Sequence, residues 1–188
     1  MKRLVVLSAP SGGGKTTLCQ RLLKDFGTLT LSISTTTRAP RGQERHGKDY
    51  FFVDKPEFER MIRSGAFAEW ALVHGNYYGT SCAAIEKAFN EGRVVLLDID
   101  VQGAASLRKR YPSDTCTVFV SPPDLATLEK RLRARGTESE EKIQQRLVNA
   151  REEMRAAPLF DHIVVNDELD RAYTELRAHV AREIGSHG

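Results

Sequence analysis

Ala9-Pro10-Ser11-Gly12-Gly13-Gly14-Lys15-Thr16 lies between the apolar run Leu4-Val5-Val6-Leu7 and a helical pattern that begins at Thr17. Strand, glycine-rich turn and helix in that order read as a phosphate-binding loop. Three successive glycines remove Cβ atoms where backbone N–H groups must turn inward around a polyphosphate, and the helix N-terminus adds partial positive charge. In this reading Lys15 reaches the β- and γ-phosphates and the Thr16 hydroxyl sits on Mg²⁺. Ala9 stands where the pattern asks for its first glycine, which is acceptable if its φ stays negative. The bland alternative is a glycine-rich turn that happens to precede Lys-Thr.

Working outward, 188 residues with 40% hydrophobic and 28% charged content allow one well-packed α/β core with small insertions and exclude a disordered chain. A net charge of +3 is too mild to argue for a nucleic-acid partner. The three cysteines, Cys19, Cys82 and Cys116, are far apart and lack C-x-x-C spacing, so they read as small hydrophobes in a reducing compartment with no metal site. The apolar run after Met1-Lys2-Arg3 is shorter than a signal-peptide core and no run reaches membrane-spanning length. The expectation is a soluble cytoplasmic protein with no membrane partner. Nothing in the sequence sets an oligomeric state.

The chain alternates strand and helix patterns. Leu4 to Leu7 reads as a strand buried on both faces, followed by a helix with Leu18, Leu22 and Phe26 on one stripe and Gly27 as its stop. Leu29, Leu31 and Ile33 alternate as a half-buried strand. Ser34 to Lys48 shows no apolar periodicity and reads as a polar loop carrying Arg38 and Arg41. Tyr50 to Val53 reads as a strand, Asp54 and Glu57 as the capped start of a helix closed by Gly65, and Phe67 to Val73 as a strand. Glu69 has the parity of Phe67 and Ala71, which places a carboxylate on an apolar sheet face. His74-Gly75-Asn76 is a turn, and Tyr77 to Ser81 leads into a helix from Cys82 to Glu91.

Val94 to Asp100 is an apolar run ending in two acids, either a Walker-B-like presentation of carboxylates near a phosphate-bound metal or a helix N-cap with a neighbour. A helix from Val101 to Arg110, a strand from Cys116 to Val120, and a helix capped by Pro122-Pro123-Asp124 follow. From Leu125 to Ala157 the chain is charge-dense, in two helices joined at Gly136-Thr137, the second with a capping box of Thr137 and Glu140. Arg131 and Arg135, four apart, share a face that reads equally as solvated surface or as a phosphate contact. Ile163 to Val165 is a last short strand. Leu169, Tyr173, Leu176, Val180 and Ile184 give a final helix its core stripe.

Taken together, these residues resemble the guanylate kinase family of nucleoside monophosphate kinases, in its bacterial form, over nearly the whole chain. The resemblance rests on Ser8 to Thr16, Thr36-Thr37-Arg38-Ala39-Pro40-Arg41, Gly47-Lys48-Asp49-Tyr50, Glu69-Trp70, Gly75-Asn76-Tyr77-Tyr78-Gly79, Leu97-Asp98-Ile99-Asp100 and Arg135-Gly136-Thr137. The alanine at position 9 also looks like the bacterial form of the loop. The resemblance implies an α/β fold with a P-loop parallel-sheet core flanked by helices (1–33, 82–123 and 159–188), a small α+β GMP-binding insertion (34–81) and a helical lid (124–158). It implies Mg²⁺-dependent transfer of the ATP γ-phosphoryl group to GMP, and by extension to dGMP.

Carried over by position, the resemblance gives ATP to Ala9, Pro10, Ser11, Gly12, Gly13, Gly14, Lys15, Thr16, Thr17 and Asn166, with Mg²⁺ on Thr16. It gives the GMP phosphate to Arg38, Arg41, Tyr50 and Tyr78. Ser34, Glu69, Thr80, Asp98 and Asp100 match positions around the guanine and the acceptor site, and Arg131, Arg135 and Arg146 match lid arginines that join Lys15 in catalysis. The chemistry is coherent: guanine offers N1–H and an amine side by side to one ionised carboxylate, whereas adenine N1 carries a lone pair that the same group repels. Two other readings compete. One is a non-catalytic guanylate-kinase-like module, opposed by the intact Lys15, Thr16 and Arg131/Arg135 set. The other is a kinase for another monophosphate, opposed by Glu69 and Thr80.

Overall fold

Leu4, Val5, Val6 and Leu7 are each 0% exposed, because their strand, β1 (Leu4–Ser8), is covered on both faces and paired on both edges. The computed structural model describes residues 1–73, 75–134 and 139–185. Strand β1 is followed by helix α1 (Lys15–Asp25) and strand β2 (Leu29–Leu31). Strand β3 (Thr35–Thr36), strand β4 (Phe51–Phe52), helix α2 (Lys55–Arg63), strand β5 (Phe67–Val73) and strand β6 (Asn76–Ser81) come next. They lead to helix α3 (Cys82–Asn90), strand β7 (Val94–Asp98), helix α4 (Val101–Arg110) and strand β8 (Thr115–Ser121). Helices α5 (Leu125–Ala134) and α6 (Glu140–Arg155), a 3₁₀ turn at Ala157–Leu159, strand β9 (His162–Val165) and helix α7 (Leu169–Ile184) complete the order.

Two sheets result. The first, β2-β7-β1-β8-β9, is wholly parallel; the second, β4-β3-β6-β5, is mixed. Alternation sorts the central strand onto two cores. Val5 and Leu7 pack with Leu18 and Leu22 of α1 and Leu176 and Val180 of α7, whereas Leu4 and Val6 pack with Ile85 of α3 and Ala104 and Leu107 of α4. Helices α5 and α6 bury a smaller core of their own, from Leu128, Leu132, Ile143, Leu147 and Ala150. Among the described residues no helix is long and apolar enough to cross a membrane.

Several elements differ from the sequence expectation. Helix α1 starts at Lys15 rather than Thr17, since the motif's own residues form the first turn. Strand β2 ends at Leu31, which is 41% exposed at the sheet edge, and leaves Ile33 outside. The polar loop contains β3, whose Thr35 and Thr36 are buried between β4 and β6; the Thr36 hydroxyl donates to the Tyr77 carbonyl at 2.8 Å, so polar side chains fill an interior position. Strand β4 is shorter than Tyr50 to Val53, and the approach to α3 is itself a strand, β6. The expected turn residue His74, and the helix joint at Arg135, Gly136 and Thr137, lie outside the described residues; α6 begins at Glu140.

The parity argument for Glu69 fails in one respect. Glu69 pairs with Thr80 but Phe67 pairs with Ser81, so β5 carries an extra residue at Ala68, a β-bulge. The bulge turns Phe67 to the α2 side while Glu69 stays with Ala71 on the other face. Phe67 stacks on Phe58 of α2 at 4.5 Å between ring centroids, and Phe58 stacks on Tyr77 at 5.2 Å. Asp54 caps α2 as the spacing predicts, accepting from Glu57 N at 2.8 Å. Phe58 is 0% exposed, so Phe58→Ala should destabilise the protein by about 3 to 5 kcal/mol. Chemical denaturation checks this: a loss below about 1 kcal/mol would mean that the second sheet does not depend on that ring.

Candidate active site

The C-terminal ends of β1, β7, β8 and β9 meet at one edge of the parallel sheet, where such folds place ligands. The loop after β1 turns through a hydrogen bond from Gly13 N to Pro10 O at 2.8 Å. Gly14 has φ 87°, and a Cβ there would lie 2.3 Å from Asn166 Nδ2, which donates to Gly13 O at 2.8 Å. Asn166 therefore clamps the loop from the end of β9, and no residue with a side chain fits at position 14. Arg131 Nη2 of α5 donates to the carbonyls of Asn166 at 2.8 Å and Asp167 at 3.3 Å. Ala9 packs against the core beneath the loop. Thr16 and Thr17 are exposed in the first turn of α1.

Lys15 is drawn to the end of β7. Its Nζ lies 2.6 Å from Asp98 Oδ1 and donates to Ile99 O at 3.2 Å, a carbonyl that also accepts from Ser8 Oγ at 2.8 Å. Burial works against the Lys15 ammonium, but Asp98 outweighs it and holds the pKa above its ordinary value.

Two residues beyond Asp98 the same turn reaches the second sheet. Asp100 caps α4, accepting from Gly103 N at 3.0 Å, which is the N-cap alternative of the sequence reading. A Cβ on Gly103 would lie 2.6 Å from Glu69 Oε2. Glu69 is 5% exposed and accepts from Thr80 Oγ1 at 2.5 Å across the β5–β6 pair. Burial, with a contribution from Asp100, pushes its carboxyl up to about 7 against the opposing hydrogen bonds of Thr80. The stretch from Asp98 to Gly103 thus touches Lys15 at one end and Glu69 at the other.

The remaining residues of the second sheet form a cationic corner. Arg38 is buried, donates from Nη2 to Glu44 Oε1 at 2.9 Å, and lies 5.2 Å from the Tyr50 ring centroid; Tyr50 and Tyr78 meet edge to face at 6.1 Å. Burial and the Asp98 charge raise the Tyr50 pKa while Arg38 and Lys15 act the other way. Arg41 is exposed, with its backbone N–H held by Glu44 Oε2 at 2.8 Å. Ser34 is half-buried and accepts from Phe51 N at 2.9 Å. Arg146 is half-buried on α6. Arg135 lies outside the described residues.

Sequence reasoning missed Glu44, Gly103 and Glu153. Glu153 of α6 lies within the fields of Lys15 and Asp100; burial pushes it up to about 7, against Lys15. Its signal was available: a carboxylate three residues after Ala150 continues the helix face of Leu147 and Ala150.

The guanylate kinase family model matches residues 1–183. The chain belongs to the guanylate kinase family. It has guanylate kinase activity and is a nucleotide-binding transferase of the nucleoside monophosphate kinase class. It is 53% identical over 175 residues to the guanylate kinase of Oleidesulfovibrio alaskensis, covering 93% of this chain and 84% of that protein. Over 181 residues it is 51% identical to that of Anaeromyxobacter dehalogenans, covering 96% and 80%. The crystal structure of guanylate kinase from Anaplasma phagocytophilum superposes with a TM-score of 0.79 at 31% identity, covering 97% of this chain and 86% of that one.

A carboxyl whose pKa is raised on folding binds more protons in the native than in the unfolded state, so stability falls as pH rises through the folded pKa. For Glu69, at about 7 against an ordinary 4.5, the change from pH 6 to pH 8 amounts to a loss of about 1 to 1.5 kcal/mol. Glu69→Gln should remove that component, so that its stability relative to wild type improves by about this amount between pH 6 and pH 8. Denaturation curves at both pH values test it; a difference that does not change with pH would show that Glu69 is ionised throughout.

Proposed function

We propose that this chain transfers the γ-phosphoryl group of ATP to GMP, and to dGMP, giving ADP and the nucleoside diphosphate. The observation that carries the reading is the Asp98 to Gly103 turn, which holds the phosphate-loop lysine against Asp98 and packs the buried Glu69 against Gly103. One short segment joins a polyphosphate cradle to a site for a base that donates two adjacent hydrogen bonds.

In this reading residues 1–33, 82–123 and 159–188 act as the core, 34–81 as the GMP-binding subdomain and 124–158 as the lid. Backbone N–H groups from Ala9 to Thr17 bind the ATP phosphates, with Asn166 fixing the loop and lying on the nucleotide side. Lys15 leaves Asp98 for the phosphates as they enter, and Arg131, Arg135 and Arg146 neutralise charge that spreads onto the transferring group. Arg38, Arg41, Tyr50 and Tyr78 hold the GMP phosphate, whereas Glu69 and Thr80 read the base, with Ser34 and Asp100 beside them. Guanine N1–H and its amine donate to the ionised Glu69 carboxylate, so GMP binding draws the group to its charged form. No general base is needed, since a phosphate monoester with a second pKa of about 6 is already mostly dianionic at neutral pH.

The exposed Thr16 hydroxyl and the Asp98 carboxylate offer hard oxygen donors that fit Mg²⁺. When bound there with ATP, Mg²⁺ would supply charge neutralisation on the phosphates.

An ADP-release assay across GMP, dGMP, AMP, CMP and UMP tests the acceptor; turnover of another monophosphate in preference to GMP would overturn it. Lys15→Met should keep the fold and lower kcat by on the order of 10² to 10³, the usual cost of one group aimed at transition-state charge. A folded variant that keeps more than about a tenth of wild-type kcat removes Lys15 from this role.

Glu69→Gln presents an amide donor where guanine also donates. It should lower kcat/KM for GMP roughly tenfold to a hundredfold, about 1.5 to 3 kcal/mol, and narrow the discrimination against AMP. The GMP/AMP ratio measured on both proteins decides: a ratio unchanged within about twofold retires Glu69 as the base reader.

A further inference from the structure

At the opposite edge of the parallel sheet, the N-terminal ends of β8 and β9 meet the last turns of α7 and bring together three metal-ligating side chains. Cys116 Sγ, a ring nitrogen of His162 and a carboxylate oxygen of Glu183 all lie within 4.8 Å of one another. His162 Nε2 is 3.1 Å from Glu183 Oε1. Cys116 is 1% exposed, whereas the His162 and Glu183 side chains keep 16% and 26% of their surface, which opens one side of the cluster to solvent. Beside it the His179 ring of α7 stacks on His162 at 4.1 Å between centroids, and its buried Nδ1 has no hydrogen-bond partner among the described residues.

We propose that Cys116, His162 and Glu183 form a binding site for a thiophilic divalent transition metal, with Zn²⁺ as the fitting ion. Tetrahedral Zn²⁺ with Zn–N, Zn–O and Zn–S lengths of about 2.0 to 2.3 Å separates its ligands by roughly 3.3 to 3.7 Å. The His162–Glu183 separation is already near that range, and bringing the thiol in from at most 4.8 Å takes a movement of up to about 1.5 Å. One sulfur, one imidazole and one carboxylate discriminate against Mg²⁺ and Ca²⁺, which take oxygen ligands. The fourth position falls to water. On binding, the Cys116 thiol gives its proton to solvent and the thiolate sulfur donates to the metal. The three residues lie on two strands and a helix, so no local spacing pattern marks the site, and the cysteine spacing that argued against a metal centre had no bearing on it. Cys116 and Ser121 stand at opposite ends of β8, about 16 Å apart at strand rise, which separates this site from the phosphate loop.

The test titrates Co²⁺ and Zn²⁺ into chelator-treated full-length protein without nucleotide. We expect one equivalent of Co²⁺ to give a thiolate-to-cobalt charge-transfer band and Zn²⁺ to displace it and raise the melting temperature. Cys116→Ala should abolish the band, and His162→Gln and Glu183→Gln should weaken Co²⁺ binding at least about tenfold, as even outer-shell changes do. All three variants should retain guanylate kinase turnover, which also reports that they are folded. Absence of the band in wild type, or a Cys116→Ala variant that binds Co²⁺ as wild type does, overturns the proposal. If Cys116→Ala does not fold, His162→Gln decides: unchanged Co²⁺ affinity sinks the site.

Discussion

Strand β1 is paired with β7 on one side and β8 on the other and is covered on both faces by helices. A backbone so enclosed has every polar group spoken for until it passes the sheet edge, and there the next N–H groups must find partners elsewhere. The glycine loop is where they emerge. Its neighbours are fixed by the same pairing, since register places Leu7 beside Asp98 of β7 and Ser8 beside Phe119 of β8. Lys15, Asp98 and Asn166 therefore converge because three parallel strands end together, and each turns toward the loop at its C-terminal end.

The second constraint is electrostatic. The Asp98 charge raises the Lys15 pKa, and the Asp100 charge adds to the burial that raises Glu69 and Glu153. Lys15 is held charged by Asp98, whereas Glu69 and Glu153 are pushed toward neutrality by burial. Groups poised near 7 change charge at small cost when phosphate or base arrives, which is useful where ligands bring both negative charge and hydrogen-bond donors.

Much of the parallel sheet was legible in the chain. Strands β1, β7 and β8 are apolar runs bounded by turn residues, and helices α1, α2, α3, α4 and α7 carry stripes, caps or glycine stops where the pattern puts them. The second sheet was harder. Its strands β3 and β4 are two residues each, too short to show a period, and β3 is buried through two threonines, of which Thr36 donates its hydroxyl to the Tyr77 carbonyl. The bulge at Ala68 changes the face of Phe67 by inserting one residue, a decision made by the fit of β5 to β6 and α2 that no alternation in β5 records.

By itself, the sequence determined the order of the parallel-sheet elements, the phosphate loop and the candidate identities of its partners, because those depend on residues near one another in the chain and on backbone geometry that glycine, proline and cap residues dictate locally. Only the tertiary structure decided that Glu69 lies against Gly103, that Glu44 ties Arg38 to the Arg41 backbone, and that Cys116, His162 and Glu183 meet. These are contacts between elements set by sheet register and helix packing, and the raised pKa values of Glu69 and Glu153 follow from burial, which exists only once the layers have closed over them.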